Sequence, residues 1–210
     1  MAVTYSRERM YFIINHIILV LLWVLFGILH SVLAAGWCKQ LMQRWLGMNY
    51  KYYHFSYSVF AAVSLIGILV FQYTMHSYLL YEAPVWVKLL LCLLVLTGLF
   101  IMLVVIRKYF FSLSGISVFY KQQPPTVLEQ SGLHRYVRHP LYFGTLLLIW
   151  SLFFVFPYLN NLLACIVITL YTVWGARLEE KKLVAQFGGK YVIYKQKVPM
   201  IIPVSFRPRK

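Results

Sequence analysis

Two short stretches of this 210-residue chain combine residue types that suit chemistry: Arg138-His139-Pro140-Leu141-Tyr142, and the trio Arg177, Glu179 and Glu180. A proline after a histidine fits the first turn of a helix, because its missing N–H is one that the turn leaves unbonded anyway. The start of such a helix exposes free N–H groups and a partial positive charge, which favours a carboxylate or other anion, and Arg138 and His139 add donors there. The second stretch supplies the opposite sign. Glu179 and Glu180 are two of only five acids in a chain without aspartate, and they can accept from ammonium or hydroxyl groups. On a helix, Arg177 and Glu180 share a face. The alternative is a solvated helix on which both glutamates merely pair with Lys181, Lys182 or Arg177.

Other chemistries lack support. There is no Gly-x-Ser-x-Gly and no HExxH. Cys38, Cys92 and Cys165 are scattered without metal-ligand spacing, and Cys92 and Cys165, inside apolar runs, read as small buried apolar residues. Gly188-Gly189-Lys190 lacks the spacing of a phosphate loop and reads as a helix stop.

The elements that must position these residues are membrane helices. The chain is 61% hydrophobic and 12% charged, with mean hydropathy +0.72, which excludes an ordinary soluble domain. Apolar windows near residues 10–35, 52–74, 84–106, 141–156 and 162–176 predict an all-α integral membrane protein of about five spanning helices. The first window is too long for a cleavable signal and is read as a retained helix. The last two are short: sixteen residues from Leu141 to Phe156 rise about 24 Å against a hydrocarbon core of about 30 Å. Pro157, Asn160 and Asn161 predict a tight turn between them. The resulting antiparallel hairpin brings His139 beside Glu179, and a cytoplasmic tail follows.

The turns near Tyr78 to Pro84 and Phe156 to Asn161 carry no Lys or Arg, whereas Arg107 to Arg138 and the tail are rich in both. This places the site and C-terminus in the cytoplasm and the N-terminus outside, with Arg7 and Arg9 against that trend. The formal charge of +15, beside membrane helices, reads as contact with anionic lipid rather than nucleic acid. Trp37, Trp45, Tyr50, Tyr52 and Tyr53 suit an interfacial belt, with Lys39, Arg44 and Lys51 reaching phosphates. His30 and Ser31 read as a helix–helix hydrogen-bonding pair. Tyr109 to Tyr120 is expected along the interface, and Lys121 to Pro125 breaks regular structure. Residues 1–120 are thus the scaffold and residues 121–210 the site-bearing region.

RYVRHPLYFG, followed after the hairpin by EEKKLVAQFGGKYVIYKQKVPMIIP, resembles the C-terminal signature of the isoprenylcysteine carboxyl methyltransferase-like membrane enzymes, which include phospholipid N-methyltransferases. LHSVLAA and KYYHFSYS are similar to the branch with NnrU-like proteins and methanethiol S-methyltransferases. The resemblance implies S-adenosylmethionine bound between hairpin and tail. His134, Arg138, His139, Leu141 and Tyr142 would hold it from one side, and Glu179 and Glu180 from the other. It implies no metal, and Arg177 as the residue orienting the acceptor. In the isoprenylcysteine enzymes an arginine stands about where this chain has Gly175, so the acceptor stays open among small thiols, prenylcysteines and lipids. A membrane reductase of the sterol reductase type, binding NADPH, and a non-catalytic membrane subunit are the alternatives.

Overall fold

The computed structural model describes residues 2–113 and 127–204. Among them are seven α-helices: α1 (Ala2–Ala34), α2 (Gly36–Leu46), α3 (Tyr53–Thr74), α4 (Val85–Leu113), α5 (Pro140–Val155), α6 (Leu159–Phe187) and α7 (Gly189–Lys197). Short 3-10 turns at Gly47–Tyr52 and Gly132–Arg135 lead into α3 and towards α5. Stretches 7–34, 55–74, 85–108 and 159–187 are long and apolar enough to cross a membrane, and α5 is the shorter apolar helix. The all-α membrane architecture therefore follows the apolar windows. Of the expected interfacial stretch Tyr109 to Tyr120, the first part continues α4 to Leu113. The rest, with the proline break at Lys121 to Pro125 and the boundary after residue 120, lies outside the described residues.

The exterior is apolar, as lipid demands: Leu21, Val63, Leu96 and Leu170 are each about 60% exposed or more. With no hydrophobic driving force between helices in lipid, close packing and polar links must hold them. The most extensive pairing is α4 with α5, and two glycines explain it. A Cβ on Gly98 would meet the Leu148 backbone nitrogen at 2.8 Å and the Gly144 carbonyl at 3.0 Å; one on Gly144 would meet Ile101 at 2.9 Å. Gly27 plays the same part for α1 and α6, where a Cβ would lie 2.8 Å from the Tyr171 ring.

Polar links join α1, α3 and α6 at the end away from the predicted site. Trp23 donates to Gln72 (3.0 Å), Gln72 to Asn161 (2.9 Å), and Asn160 to the Gln72 carbonyl (2.8 Å). His16 donates from Nδ1 to the Phe12 carbonyl, leaving Nε2 to accept from Ser77. The loops there also pair through main chain, Leu80 N–H to Pro157 (2.8 Å) and Leu159 N–H to Tyr78 (2.9 Å). At the opposite end, Tyr57 hydrogen-bonds His30 (2.8 Å) and Ser31 donates to Tyr171 (3.2 Å), so both residues are helix–helix links as expected. Tyr53 donates to the Leu33 carbonyl (2.9 Å) and pins α2 and its 3-10 turn beside the end of α1.

Substituting valine for Gly98 should force α4 from α5, because the obstructing atoms are backbone. The expected result is a lower unfolding temperature in detergent, by the equivalent of about 1–3 kcal/mol. Gly67→Ala, whose added Cβ meets nothing within 4 Å, is the control and should leave it unchanged or raised. Equal behaviour of the two variants would remove the glycine contact as the cause of the pairing.

Candidate active site

The site forms where three segments converge: the turn before α5, the extension of α6 beyond its apolar part, and α7 with the strand-like tail after it. Pro140 occupies the first position of α5, as its sequence predicts, with His139 as the capping residue and no side-chain cap. α6 runs on unbroken to Phe187 and stops at Gly188, whose φ of +56° suits a residue without Cβ. The Gly-Gly-Lys stretch is therefore the expected helix stop, and it turns the chain into α7. Residues 199–200 then return along the turn: Arg138 N–H donates to Pro199 (2.9 Å) and His139 N–H to Met200 (3.0 Å).

A buried ion pair locks this arrangement. Arg138 donates from Nε to Glu180 Oε1 at 2.6 Å, with Nη2 at 2.5 Å from the same oxygen, and the side chains are 8% and 6% exposed. Nη1 donates to the carbonyls of Lys195 (3.0 Å) and Val198. Lys195 Nζ takes the other Glu180 oxygen at 3.1 Å. Arg138 and Glu180, both predicted to hold cofactor, are thus committed chiefly to each other and to the tail. Neither glutamate has its ion pair with Arg177, Lys181 or Lys182 among the described residues.

Beside the lock lies a cavity of about 410 Å³, within the range of small-molecule sites. His134, Arg138, His139, Leu141, Tyr142 and Glu179 all line it, so the hairpin does bring its two walls together. Tyr142 donates to Glu179 Oε2 (3.1 Å) and stacks on His139 with centroids 5.4 Å apart. His139 has Nδ1 3.6 Å from Glu179 and Nε2 3.5 Å from Glu180, yet Nε2 is buried without a hydrogen bond. Burial outweighs both carboxylates and holds its pKa below the ordinary histidine value. His134 is also lowered by burial; it donates from Nδ1 to the Arg138 carbonyl (3.2 Å) and accepts at its own carbonyl from Tyr194 Oη (2.5 Å). Pro140 lacks an N–H, and the first-turn N–H groups of Leu141 and Tyr142 have no helical acceptor.

Arg177 is exposed and is not among the residues lining the cavity. Conversely, the lining includes Glu129, Tyr191 and Tyr194, which were not assigned from sequence. The i,i+3 spacing of the two tyrosines was the available signal, since it puts both on one face of a short helix. Glu129 gave none. Lys108 holds it from α4 at 2.7 Å, and Lys108 and Ser131 depress its carboxyl to about 2.

Arg138→Ala should destabilise the fold by about 3–5 kcal/mol, because Glu180 stays buried without the guanidinium, facing Lys195 and the His139 ring. Arg138→Lys should rescue little, lacking the fork that also reaches the two carbonyls. Thermal unfolding in detergent measures both, and a lysine variant as stable as wild type would contradict this role. A second expectation concerns pH. Unfolded histidine takes up a proton near about 6.5, while His139 resists it when folded, so the unfolded state binds more protons and stability drops as pH falls. The unfolding temperature should decline between about pH 7 and pH 5, and His139→Gln should flatten that decline.

Comparison with known proteins agrees with the geometry. Residues 86–190, half of the chain, match the family model described as phospholipid methyltransferase. Methanethiol S-methyltransferase 1 of Bradyrhizobium diazoefficiens is 30% identical over 203 residues, covering 89% of this chain and 66% of the relative. A methanethiol S-methyltransferase of Crocosphaera subtropica is 39% identical over 85 residues, 40% of this chain and 32% of its own. Protein-S-isoprenylcysteine O-methyltransferase of Saccharomyces cerevisiae is 32% identical over 117 residues, 53% and 47% of the two chains. The chain thus spans just under two thirds of the first relative and about a third of the second. No solved structure matches. With half of its length fitted by that model, the chain belongs to the phospholipid methyltransferase family.

Proposed function

We propose that the protein is an integral membrane methyltransferase that uses S-adenosylmethionine to methylate a small thiol or another lipophilic nucleophile. The observation that carries this reading is a cavity lined by both the start of α5 and Glu179, groups that suit an anion and a cation respectively. The donor is a zwitterion bearing a sulfonium. Its carboxylate suits the free N–H groups of Leu141 and Tyr142 and the positive end of α5. Glu179, half exposed in the cavity, suits the ammonium or ribose hydroxyls. The stacked rings of His139 and Tyr142 offer faces for adenine or for the cation.

The bound donor supplies an electrophilic methyl carbon. What the protein must add is a nucleophile held in line with it and exclusion of water, so no covalent enzyme group is required. A thiol reacts as its thiolate, its proton already released to solvent; the new S–C bond forms as the methyl carbon's bond to the sulfonium breaks, with S-adenosylhomocysteine as the leaving group. The names of the relatives, methanethiol and isoprenylcysteine methyltransferases, support an acceptor of this kind. α5 is short for the hydrocarbon core, so the site lies within reach of the bilayer and the acceptor enters from there. Arg177, outside the cavity lining, is suited to orient the acceptor at the rim rather than to hold the donor. Lys39, Arg44, Lys51, Arg107, Lys108 and most later cations fall at the site's end of the helices, which supports a cytoplasmic site and tail.

Calorimetric titration in detergent with S-adenosylhomocysteine and, separately, NADPH tests the reading. Binding of the first and not the second is expected, weakened about 10–100-fold by Glu179→Gln through loss of a charge-assisted hydrogen bond. Binding of NADPH alone would favour the reductase. Transfer of a tritiated methyl group to thiols, prenylcysteines and lipids then identifies the acceptor class.

A further inference from the structure

Tyr191 is 1% exposed and among the largest fully buried side chains, yet its hydroxyl proton reaches no acceptor. Leaving such a group unpaired costs about 1–3 kcal/mol, so its position needs a reason. Its surroundings exclude an internal one. Arg138 hydrogen-bonds the phenol oxygen, but a guanidinium only donates and cannot receive the phenol proton. Glu180, whose oxygens receive Arg138 and Lys195, makes no hydrogen bond to the phenol. Tyr194, three residues on and ring to ring with Tyr191 at 5.9 Å, spends its hydroxyl on the His134 carbonyl. Tyr191 is the tyrosine of that pair that keeps its proton, and it lines the same cavity as His139 and Glu179.

We propose that Tyr191 is a ligand-binding residue, its hydroxyl donating a hydrogen bond to an acceptor atom of the S-adenosyl group held in this cavity. The inference rests on the cofactor reading above and adds a contact from α7. Burial and the charge of Glu180 hold the phenol above its ordinary pKa, so it is protonated and able to donate at any physiological pH. The lock and the ligand contact thus share one short helix: Lys195 fixes α7 to Glu180, and that fixing places the Tyr191 hydroxyl.

Tyr191→Phe removes the hydroxyl and little else. S-adenosylhomocysteine affinity by calorimetry, and the unfolding temperature of the ligand-free protein, are measured for wild type and variant in the same detergent. The expected result is three- to tenfold weaker binding, about the worth of one hydrogen bond, with the unfolding temperature nearly unchanged, since the hydroxyl proton has no internal acceptor to lose. Wild type that binds and a variant that binds equally well would overturn the inference and leave the cofactor reading intact. A variant that unfolds at lower temperature in the absence of ligand would assign the hydroxyl to structure and also overturn it. Failure of wild type itself to bind would bring down the cofactor reading, and the inference with it.

Discussion

The Arg138–Glu180 ion pair is the constraint on which the functional end of the molecule depends. Taking two charges out of water at the edge of a membrane is expensive, and their attraction offsets that only when nearly every donor and oxygen is used. Here they are. Arg138 reaches Glu180 twice and two tail carbonyls besides, and Lys195 completes Glu180. Each contact joins a different part of the chain: the turn before α5, the far end of α6, and α7 with its tail. No apolar packing available at a lipid-exposed end could fix three segments in one register so tightly, because lipid competes with it.

That lock works only on helices already held in place, and the membrane segments do this by close approach and by polar links. Gly98 and Gly144 let α4 and α5 touch through backbone, which fixes the tilt and depth of a helix too short to be set by the bilayer itself. The Asn160, Gln72 and His16 network anchors the other end. Between these ends α6 is stiff and continuous, so a contact at Asn160 and one at Glu180 are parts of a single rod.

The cavity exploits the resulting division of charge. Glu180 is neutralised by the lock, while Glu179, its neighbour on α6, is left half exposed to the cavity with Tyr142 and His139 beside it. Adjacent glutamates thus take opposite parts, one structural and one available, because successive residues of a helix point about 100° apart. The same split separates Tyr194, bound to the His134 carbonyl, from Tyr191 on the same short helix.

The sequence by itself determined the class and the address. Apolar windows located each membrane helix, because the length of an apolar run is set by the bilayer and needs no partner to be read. Pro140, Gly188 and the turn at Pro157 fixed where helices start and stop, since those are local backbone effects. The hairpin argument brought His139 to Glu179. Only the tertiary structure decided which of the charged residues are spoken for. That Arg138 and Glu180 face each other, that Arg177 lies outside the cavity, and that Glu129 and Tyr191 line it depend on where α7 and the tail fold back. Those contacts join residues about sixty positions apart, through side-chain geometry that no periodicity along the chain encodes.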